Sequence, residues 1–184
     1  MIPRLVLLAS GTGSTVQAIL DSELREHVVA LGSDVPGCGA LAVAQAAGLP
    51  TFTHALADFP ARDDWNLALA DTIARYRPGL VVCAGFMRLL GPAVVARFRL
   101  VNTHPSLLPS FPGAHAVRDA LAHGVKVSGV TVHLVDEGLD TGPILAQSAV
   151  PVLDDDTEDS LRARIQAAEK PLFVDTIRQL VRSP

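Results

Sequence analysis

RLVLLA at residues 4–9 and SGTGST at residues 10–15 follow one another directly near the start of the chain. The apolar run is typical of a strand that is buried on both faces of a parallel sheet. The glycines of the second segment let the backbone turn sharply, and apolar residues then recur at helical spacing over residues 14–24. This strand–turn–helix unit favours an α/β fold.

The same alternation of strands and helices continues through the first half of the chain. Apolar runs bounded by turn residues predict further strands at residues 28–32, 50–54 and 80–84. Helices are predicted between and after these strands at residues 40–47, 63–76 and 92–98. Such alternation is typical of a mostly parallel sheet with helices on both faces.

The second half of the chain follows a different pattern. A short strand at residues 100–103 leads into a loop that contains three prolines. Residues 127–135 and 144–152 are predicted as neighbouring strands that pair antiparallel, which adds an antiparallel C-terminal strand to the sheet. A long helix is predicted over residues 157–180, with a kink or break at Pro171.

The composition describes a compact protein of one domain, residues 1–184. Hydrophobic residues make up 49% of the chain and charged residues 18%, as in globular proteins rather than disordered ones. The net charge of -4 argues against nucleic-acid binding through a basic surface. The apolar runs are too short for a signal peptide or a membrane span. Cys38 and Cys83 lack metal or disulfide spacing, so we expect two buried thiols in the reducing cytoplasm.

The glycine loop at residues 10–15 has two interpretations. The backbone N–H groups of Gly13, Ser14 and Thr15 at the start of a helix would favour one phosphate group. The pattern is not GxGxxG, because Val16 occupies the third glycine position, and it lacks the Gly-Lys-Ser/Thr of a Walker loop. The alternative is a tight strand–helix turn with a serine cap and no ligand.

Asn102 and His104 stand two residues apart at the end of a predicted strand, so they project from the same face. An asparagine amide can donate a hydrogen bond to a developing oxyanion. A histidine can move a proton near neutral pH. The pair therefore predicts acyl-transfer chemistry, although two side chains that only tie down the proline-rich loop would give the same pattern.

Asp140 is a candidate partner for His104. It lies in DEGLDTG at residues 136–142, where two glycines give the loop the freedom to carry a carboxylate back to the imidazole. An ordinary acidic surface loop explains the same residues equally well. His133 is predicted as a packed or supporting residue, and none of the histidines has a partner at metal-ligand spacing.

Longer motifs resolve these alternatives through a resemblance to a known family. CAGFMRLL at residues 83–90, NTHPSLLPSFPG at 102–113, GVTVH at 129–133 and DTGP at 140–143 resemble the phosphoribosylglycinamide formyltransferases, of the folate-dependent formyltransferase family, in order and separation. The opening SGTGS loop fits as well, and the similarity covers nearly the whole chain. Thr15 stands where the family usually has asparagine, which leaves phosphate binding by the backbone intact.

The resemblance implies an enzyme with a Rossmann-like sheet that transfers one-carbon formyl groups. The formyl donor, and co-substrate, would be 10-formyltetrahydrofolate. The acceptor would be the amine of 5'-phosphoribosylglycinamide (glycinamide ribonucleotide) in de novo purine (IMP) biosynthesis. Together with the composition, the resemblance implies no metal, no nucleic-acid or membrane partner, and a cytoplasmic monomer or homodimer.

By matching position, the resemblance also implies three groups of site residues. The catalytic residues would be Asn102, His104 and Asp140. The residues that bind the substrate phosphate and ribonucleotide would be Gly13, Ser14, Thr15, Gln166 and Glu169. The folate-binding residues would be Arg62, Met87, Arg88, Leu89, Leu90, Asn102, Asp136, Glu137, Gly138, Leu139 and Asp140.

Related enzymes share parts of this pattern. The alternative function is that of a formyltetrahydrofolate deformylase, a hydrolase with the same catalytic trio, which usually carries an N-terminal regulatory domain. We expect none here, because the first strand is predicted to begin by residue 4. A methionyl-tRNA formyltransferase usually has a basic surface and a further C-terminal domain, and a nucleotide-binding module without catalytic activity would lack the trio. The transferase is therefore the expected function.

Overall fold

The computed structural model describes residues 3–182, through which a seven-stranded sheet runs. The ends of the predicted domain, residues 1–2 and 183–184, lie outside the described residues. The strands follow their predicted positions: β1 Leu5–Leu8, β2 Val28–Ser33, β3 Thr51–Thr53, β4 Leu80–Cys83, β5 Leu100–His104, β6 Val127–Leu134 and β7 Ile144–Pro151. Their order in the sheet is β3-β2-β1-β4-β5-β6-β7.

Strands β1 to β5 are parallel to one another, and β6 is antiparallel to both β5 and β7. The predicted α/β fold, a Rossmann-like and mostly parallel sheet with an antiparallel pair toward its C-terminal end, is therefore confirmed. The unbroken apolar run of β1 has a simple cause. Leu5 and Leu7 pack on one face of the sheet, and Val6 and Leu8 pack on the other.

Within residues 3–182, six α-helices surround the sheet: α1 Ser14–Leu20, α2 Gly39–Ala46, α3 Arg62–Arg75, α4 Pro92–Val95, α5 Ala116–His123 and α6 Glu158–Arg182. Helices α1, α2 and α6 cover one face, and α3 and α4 cover the opposite face. The predicted helices on both faces are therefore present. None of the helices in this part of the chain is long and apolar enough to cross a membrane.

Three helices differ from the sequence prediction, of which α4 ends at Val95 rather than at residue 98. Helix α1 ends at Leu20 rather than at residue 24, because the Ser22 hydroxyl accepts the N–H of Leu24 and begins a separate 3₁₀ helix at Glu23–His27. Helix α5 has no counterpart in the prediction. Two of its three buried residues are alanines, which give only a weak apolar pattern.

Of the kink or break predicted at Pro171, the break is wrong, because α6 runs through this residue without interruption. Proline removes one backbone hydrogen bond from a helix and crowds the preceding turn. Fully buried side chains lie on both sides of the proline, among them Ile165 before it and Phe173 after it. Tertiary packing of both halves against the sheet therefore outweighs the local cost of the proline.

The strand order reverses between β1 and β4, in the middle of the sheet. In open α/β sheets, such a reversal leaves a crevice outside the carboxyl ends of the strands, where ligands bind. Ser10 follows β1 and donates its N–H to the carbonyl oxygen of Gly85, beyond β4, at 3.0 Å. The glycine loop and the segment after β4 therefore meet at this crevice.

The packing of Gly13 against α2 gives a test of the loop. Its φ is +87°, and an added Cβ would lie 2.7 Å from the Cα of Ala40. We expect Gly13→Ala to lower the free energy of unfolding by about 1–3 kcal/mol through overpacking, with the strained φ adding to the loss. Urea unfolding measures this change. Gly11→Ala is the control, since nothing lies within 4 Å of a Cβ at Gly11; equal losses in both variants would contradict the packing argument.

Candidate active site

A cavity of about 240 Å³ lies at the carboxyl edge of the sheet, beyond β4 and β5. Its wall crosses from one face of the sheet to the other. Phe86 and Leu90 line it from the face that α3 covers, and Arg162 lines it from α6 on the opposite face. Two ligands that approach from different faces of the sheet can therefore meet in one space.

The last part of β5 carries Asn102 and His104, whose side chains leave the same face of the strand. Antiparallel pairing places His133 of β6 opposite Asn102. His133 donates from Nδ1 to the carbonyl oxygen of Leu134 at 2.9 Å, so its Nε2 can accept from Asn102 Nδ2 at 3.2 Å. This bond orients the Asn102 amide and leaves its second N–H available to the cavity.

His104 is buried, and both of its ring nitrogens face acceptors. Nε2 donates to the carbonyl oxygen of Phe111 at 2.8 Å. Nδ1 lies 3.4 Å from Oδ2 of Asp140. Because the Phe111 carbonyl group can only accept, Nε2 carries a proton, and Nδ1 is the nitrogen that faces Asp140.

Asp140 approaches both histidines because its backbone turns with a φ of +55°, a left-handed conformation that aspartate adopts more readily than most residues. Its Oδ2 accepts the N–H of Gly113 at 2.8 Å, and its Oδ1 lies 3.7 Å from His133 Nε2. The structure therefore brings Asn102, His104 and Asp140 together at the cavity. The carboxylate of Asp140 therefore faces the two histidines and does not simply extend into solvent.

The proline-rich loop after β5 is anchored on β6 and β7. Thr131 Oγ1 donates to the carbonyl oxygen of Ser106 at 2.7 Å and accepts the N–H of Leu108 at 3.0 Å. Gln147 Nε2 donates to the carbonyl oxygen of Leu108 at 2.9 Å. These bonds fix the loop that presents the Phe111 carbonyl group, and so they fix the ring of His104.

The predicted ribonucleotide residues lie at the start of α1 and in the middle of α6. Gly13, Ser14 and Thr15 form the turn into α1, where the first N–H groups have no acceptor within the helix. Thr15 Oγ1 donates to Glu169 Oε1 at 3.0 Å. Burial raises the pKa of Glu169 above its ordinary value, and the bond from Thr15 partly offsets this rise. Gln166, one turn earlier on α6, is exposed.

The segment after β4 forms the predicted folate wall. Met87 is 76% exposed and Leu89 is 47% exposed, whereas Leu90 is buried. Large apolar side chains at the mouth of a cavity are suited to contact the apolar part of a ligand. Behind them, Phe86 stacks on Trp65 with 6.3 Å between the ring centroids, which fixes this wall to the core.

Two of the predicted folate residues lie outside the cavity wall. Arg62, at the start of α3, donates from Nη2 to the carbonyl oxygen of Leu89 at 2.7 Å, so it supports the wall from behind. Glu137 is exposed beside the wall. The remaining predicted folate residues line the cavity: Met87, Arg88, Leu89, Leu90, Asn102, Asp136, Gly138, Leu139 and Asp140.

The two cysteines are free, and only one of them is buried as predicted. Cys38 is half-buried, whereas Cys83 is buried at the cavity wall. Burial raises the pKa of the Cys83 thiol to about 12. The thiol therefore stays protonated near neutral pH, which is the unreactive form of cysteine.

Three functional positions were not identified as such from the sequence. His133, predicted only as a packed or supporting residue, orients an amide of the site, and strand pairing is the signal that would have found it. Arg162 lines the cavity one turn before Gln166, and its spacing on the helix was a usable signal. The buried carboxylate of Asp34 pairs with Arg88 of the cavity wall, and its Gly/Pro-rich surroundings gave no sign of this.

Comparison with known proteins agrees with this geometry. The chain is 54% identical to a phosphoribosylglycinamide formyltransferase of Mycobacterium tuberculosis (strain H37Rv) over 182 residues, which cover 96% of this chain and 84% of that protein. It is 41% identical to a protein of the same name from Escherichia coli K12 over 176 residues, which cover 92% and 83%.

Solved structures give the same result. Glycinamide ribonucleotide transformylase 1 from Symbiobacterium toebii superposes with a TM-score of 0.95 at 42% identity, covering 98% of this chain and 88% of that one. The formyl transferase family itself matches residues 3–177. This chain belongs to the formyl transferase family.

Proposed function

We propose that this chain transfers the formyl group of 10-formyltetrahydrofolate to the amine of 5'-phosphoribosylglycinamide, a step of de novo purine biosynthesis. The names of its relatives support this substrate pair. The observation that carries the proposal is the position of Asn102, His104 and Asp140 in a cavity that is lined from both faces of the sheet. A transfer between two substrates needs such a common space.

The ribonucleotide binds on the side of α1 and α6. The backbone N–H groups of Gly13, Ser14 and Thr15 hold its phosphate, since they lie at the start of a helix and lack other backbone acceptors. Gln166 and Glu169 contact the rest of the ribonucleotide from α6. The Thr15–Glu169 bond supports this assignment, because it joins the two groups of residues in one site.

The formyl folate binds on the opposite side, against the segment after β4 and the loop between β6 and β7. Met87 and Leu89 contact its apolar parts, and Arg88 offers hydrogen-bond donors. Arg62 acts on this wall through the carbonyl group of Leu89. Residues 136–140 close the pocket from the other side, and they end at Asp140 beside the reacting atoms.

The reaction follows from these positions. The amine nitrogen attacks the formyl carbon, and the carbonyl oxygen becomes an oxyanion. The free N–H of Asn102 and Nδ1–H of a protonated His104 stabilise this charge. Protonated His104 gives its Nδ1 proton to the departing folate nitrogen as the bond between that nitrogen and the formyl carbon breaks. Asp140, directly or through one water, takes the proton of the attacking nitrogen and returns it to His104.

The cellular setting is part of the same proposal. Both substrates are small molecules, so neither nucleic acid nor membrane is needed as a partner. We place the activity in the cytoplasm, and we expect a monomer or homodimer. The alternative function, hydrolysis of the formyl folate, would use the same trio with water in place of the amine.

A formyl-transfer assay with and without the ribonucleotide tests the proposed function. We expect tetrahydrofolate to form at a rate that depends on the ribonucleotide, together with stoichiometric formylated product. Tetrahydrofolate formed equally fast without the ribonucleotide would contradict the transferase and establish the hydrolase.

Asp140→Asn tests the proton transfer. The substitution keeps the shape and removes the charge, so we expect turnover to fall by about a hundredfold or more, the usual contribution of acid–base catalysis. His104→Ala and the double variant should be about equally impaired, because residues that act as a unit are not additive. Steady-state kinetics measures all three variants, with Asp154→Asn on the surface as the control. Fully additive losses would show that the two residues act separately.

Glu169→Gln tests the buried carboxylate. Burial raises the pKa of Glu169 in the folded state above 4.5, its ordinary value, so the folded state binds the proton more tightly. Stability is therefore lost as the pH rises from the unfolded toward the folded pKa. Gln cannot ionise, so we expect the variant to gain melting temperature relative to the native chain as the pH rises past 4.5, and to bind the ribonucleotide more weakly.

Thermal unfolding over a pH series and calorimetry with the ribonucleotide measure the two effects. The exposed Glu26, far from the cavity wall, supplies the control Glu26→Gln, for which neither effect is expected. A stability difference for Glu169→Gln that is the same at every pH would contradict the argument from burial.

A further inference from the structure

We propose that Asp34 is a positioning residue for the formyl donor, which it serves by holding the Met87–Arg88 segment of the folate wall. The inference rests on the proposed function, which assigns this wall to the folate. Asp34 itself does not line the cavity. It acts through the residues that do.

Asp34 directly follows β2 in the chain, and its side chain is 1% exposed. Its Oδ2 accepts from Arg88 Nε at 2.7 Å. Its Oδ1 accepts from Ser10 Oγ at 2.5 Å. Both oxygens of one buried carboxylate are therefore bonded to groups at the central crevice.

Ser10 extends the second of these contacts to the backbone of the wall. Its Oγ accepts the N–H of Met87 at 2.8 Å while its hydroxyl proton is donated to Asp34. A hydroxyl can donate and accept at the same time. Asp34 therefore fixes the side chain of Arg88 directly and the backbone of Met87 through a single hydroxyl.

The remaining donors of Arg88 are available to a ligand. The side chain is 43% exposed and lines the cavity. Within residues 3–182, its hydrogen bonds to the protein are made by Nε. Because a guanidinium is planar, a bond at Nε sets the direction of both Nη groups. Held in this way, Arg88 presents the N–H groups of both Nη atoms to acceptor atoms of a folate ring.

A purely stabilising ion pair would have different consequences. Breaking a buried pair destabilises the whole fold, because a charge is left without its partner. Such a loss affects both substrates alike. A positioning role instead affects the folate selectively and leaves turnover at saturating folate nearly intact.

Asp34→Asn tests this distinction. We expect the affinity for 5-formyltetrahydrofolate, a stable isomer of the donor, to fall about tenfold, as expected for a lost bond to a charged group. The KM for the donor should rise in step, while kcat and the affinity for the ribonucleotide change by less than about threefold. Calorimetry and steady-state kinetics measure these values. Asp71→Asn, which breaks the exposed pair with Arg97, is the control and should change none of them.

A double-mutant cycle with Arg88→Gln adds a second readout. If Asp34 acts mainly through Arg88, the double variant binds the folate only slightly more weakly than Arg88→Gln alone. Fully additive losses would overturn the inference. So would an equal loss of affinity for folate and ribonucleotide in Asp34→Asn, or a fall in kcat with unchanged folate affinity.

Two further results separate this inference from the function on which it rests. A native chain that does not bind 5-formyltetrahydrofolate would overturn the proposed folate site, and the inference with it.

If Asp34→Asn does not fold, Ser10→Ala takes its place, since it removes only the hydroxyl that links Asp34 to Met87. We expect a loss of about threefold in folate affinity, at the lower end for a neutral hydrogen bond, and an unchanged folate affinity would overturn the inference.

Discussion

The parallel pairing of β1 with β4 at the centre of the sheet is the constraint on which the rest of the site depends. Because these strands run in the same direction, the glycine loop and the folate wall leave the sheet at the same edge. The backbone bond from Ser10 to Gly85 joins the two segments. Their connections then depart toward opposite faces, so that one crevice receives ligands from both sides. Without this arrangement, two substrates would have no common point at which to react.

The antiparallel pairing of β5 with β6 brings the candidate catalytic side chains to that point. It places His133 opposite Asn102, and it begins a strand pair whose connecting loop carries Asp140 back to the same edge. This loop passes very close to the end of β6, since a Cβ on Gly142 would lie 1.8 Å from the carbonyl oxygen of Leu134. Only a glycine fits so close to the neighbouring backbone, and this closeness brings the carboxylate to His104.

Two carboxylates near the candidate site are buried, which is unfavourable for the stability of the fold unless their charges are compensated. Glu169 is buried on α6 with a raised pKa, and Asp34 is buried beside the folate wall with a single cationic partner. Burying a charge is unfavourable unless it is paired or bonded. Thr15 and Ser10 of the glycine loop each donate to one of these carboxylates. The loop that we assign to the phosphate thus also bonds to two buried acids.

Sequence patterns alone predicted the strands and the parallel sheet. They also predicted that the side chains of Asn102 and His104 project from one face of a strand, because local periodicity and turn residues determine these features. The motif resemblance identified the family and named Asp140 and Glu169. Local patterns predicted a possible break at Pro171, but long-range core contacts keep α6 continuous through it. Only the tertiary structure decided that Asp140 meets His104, that His133 orients Asn102 and that Asp34 reaches Arg88. Each of these contacts joins segments far apart in sequence, and their geometry depends on strand order and packing that no local pattern encodes.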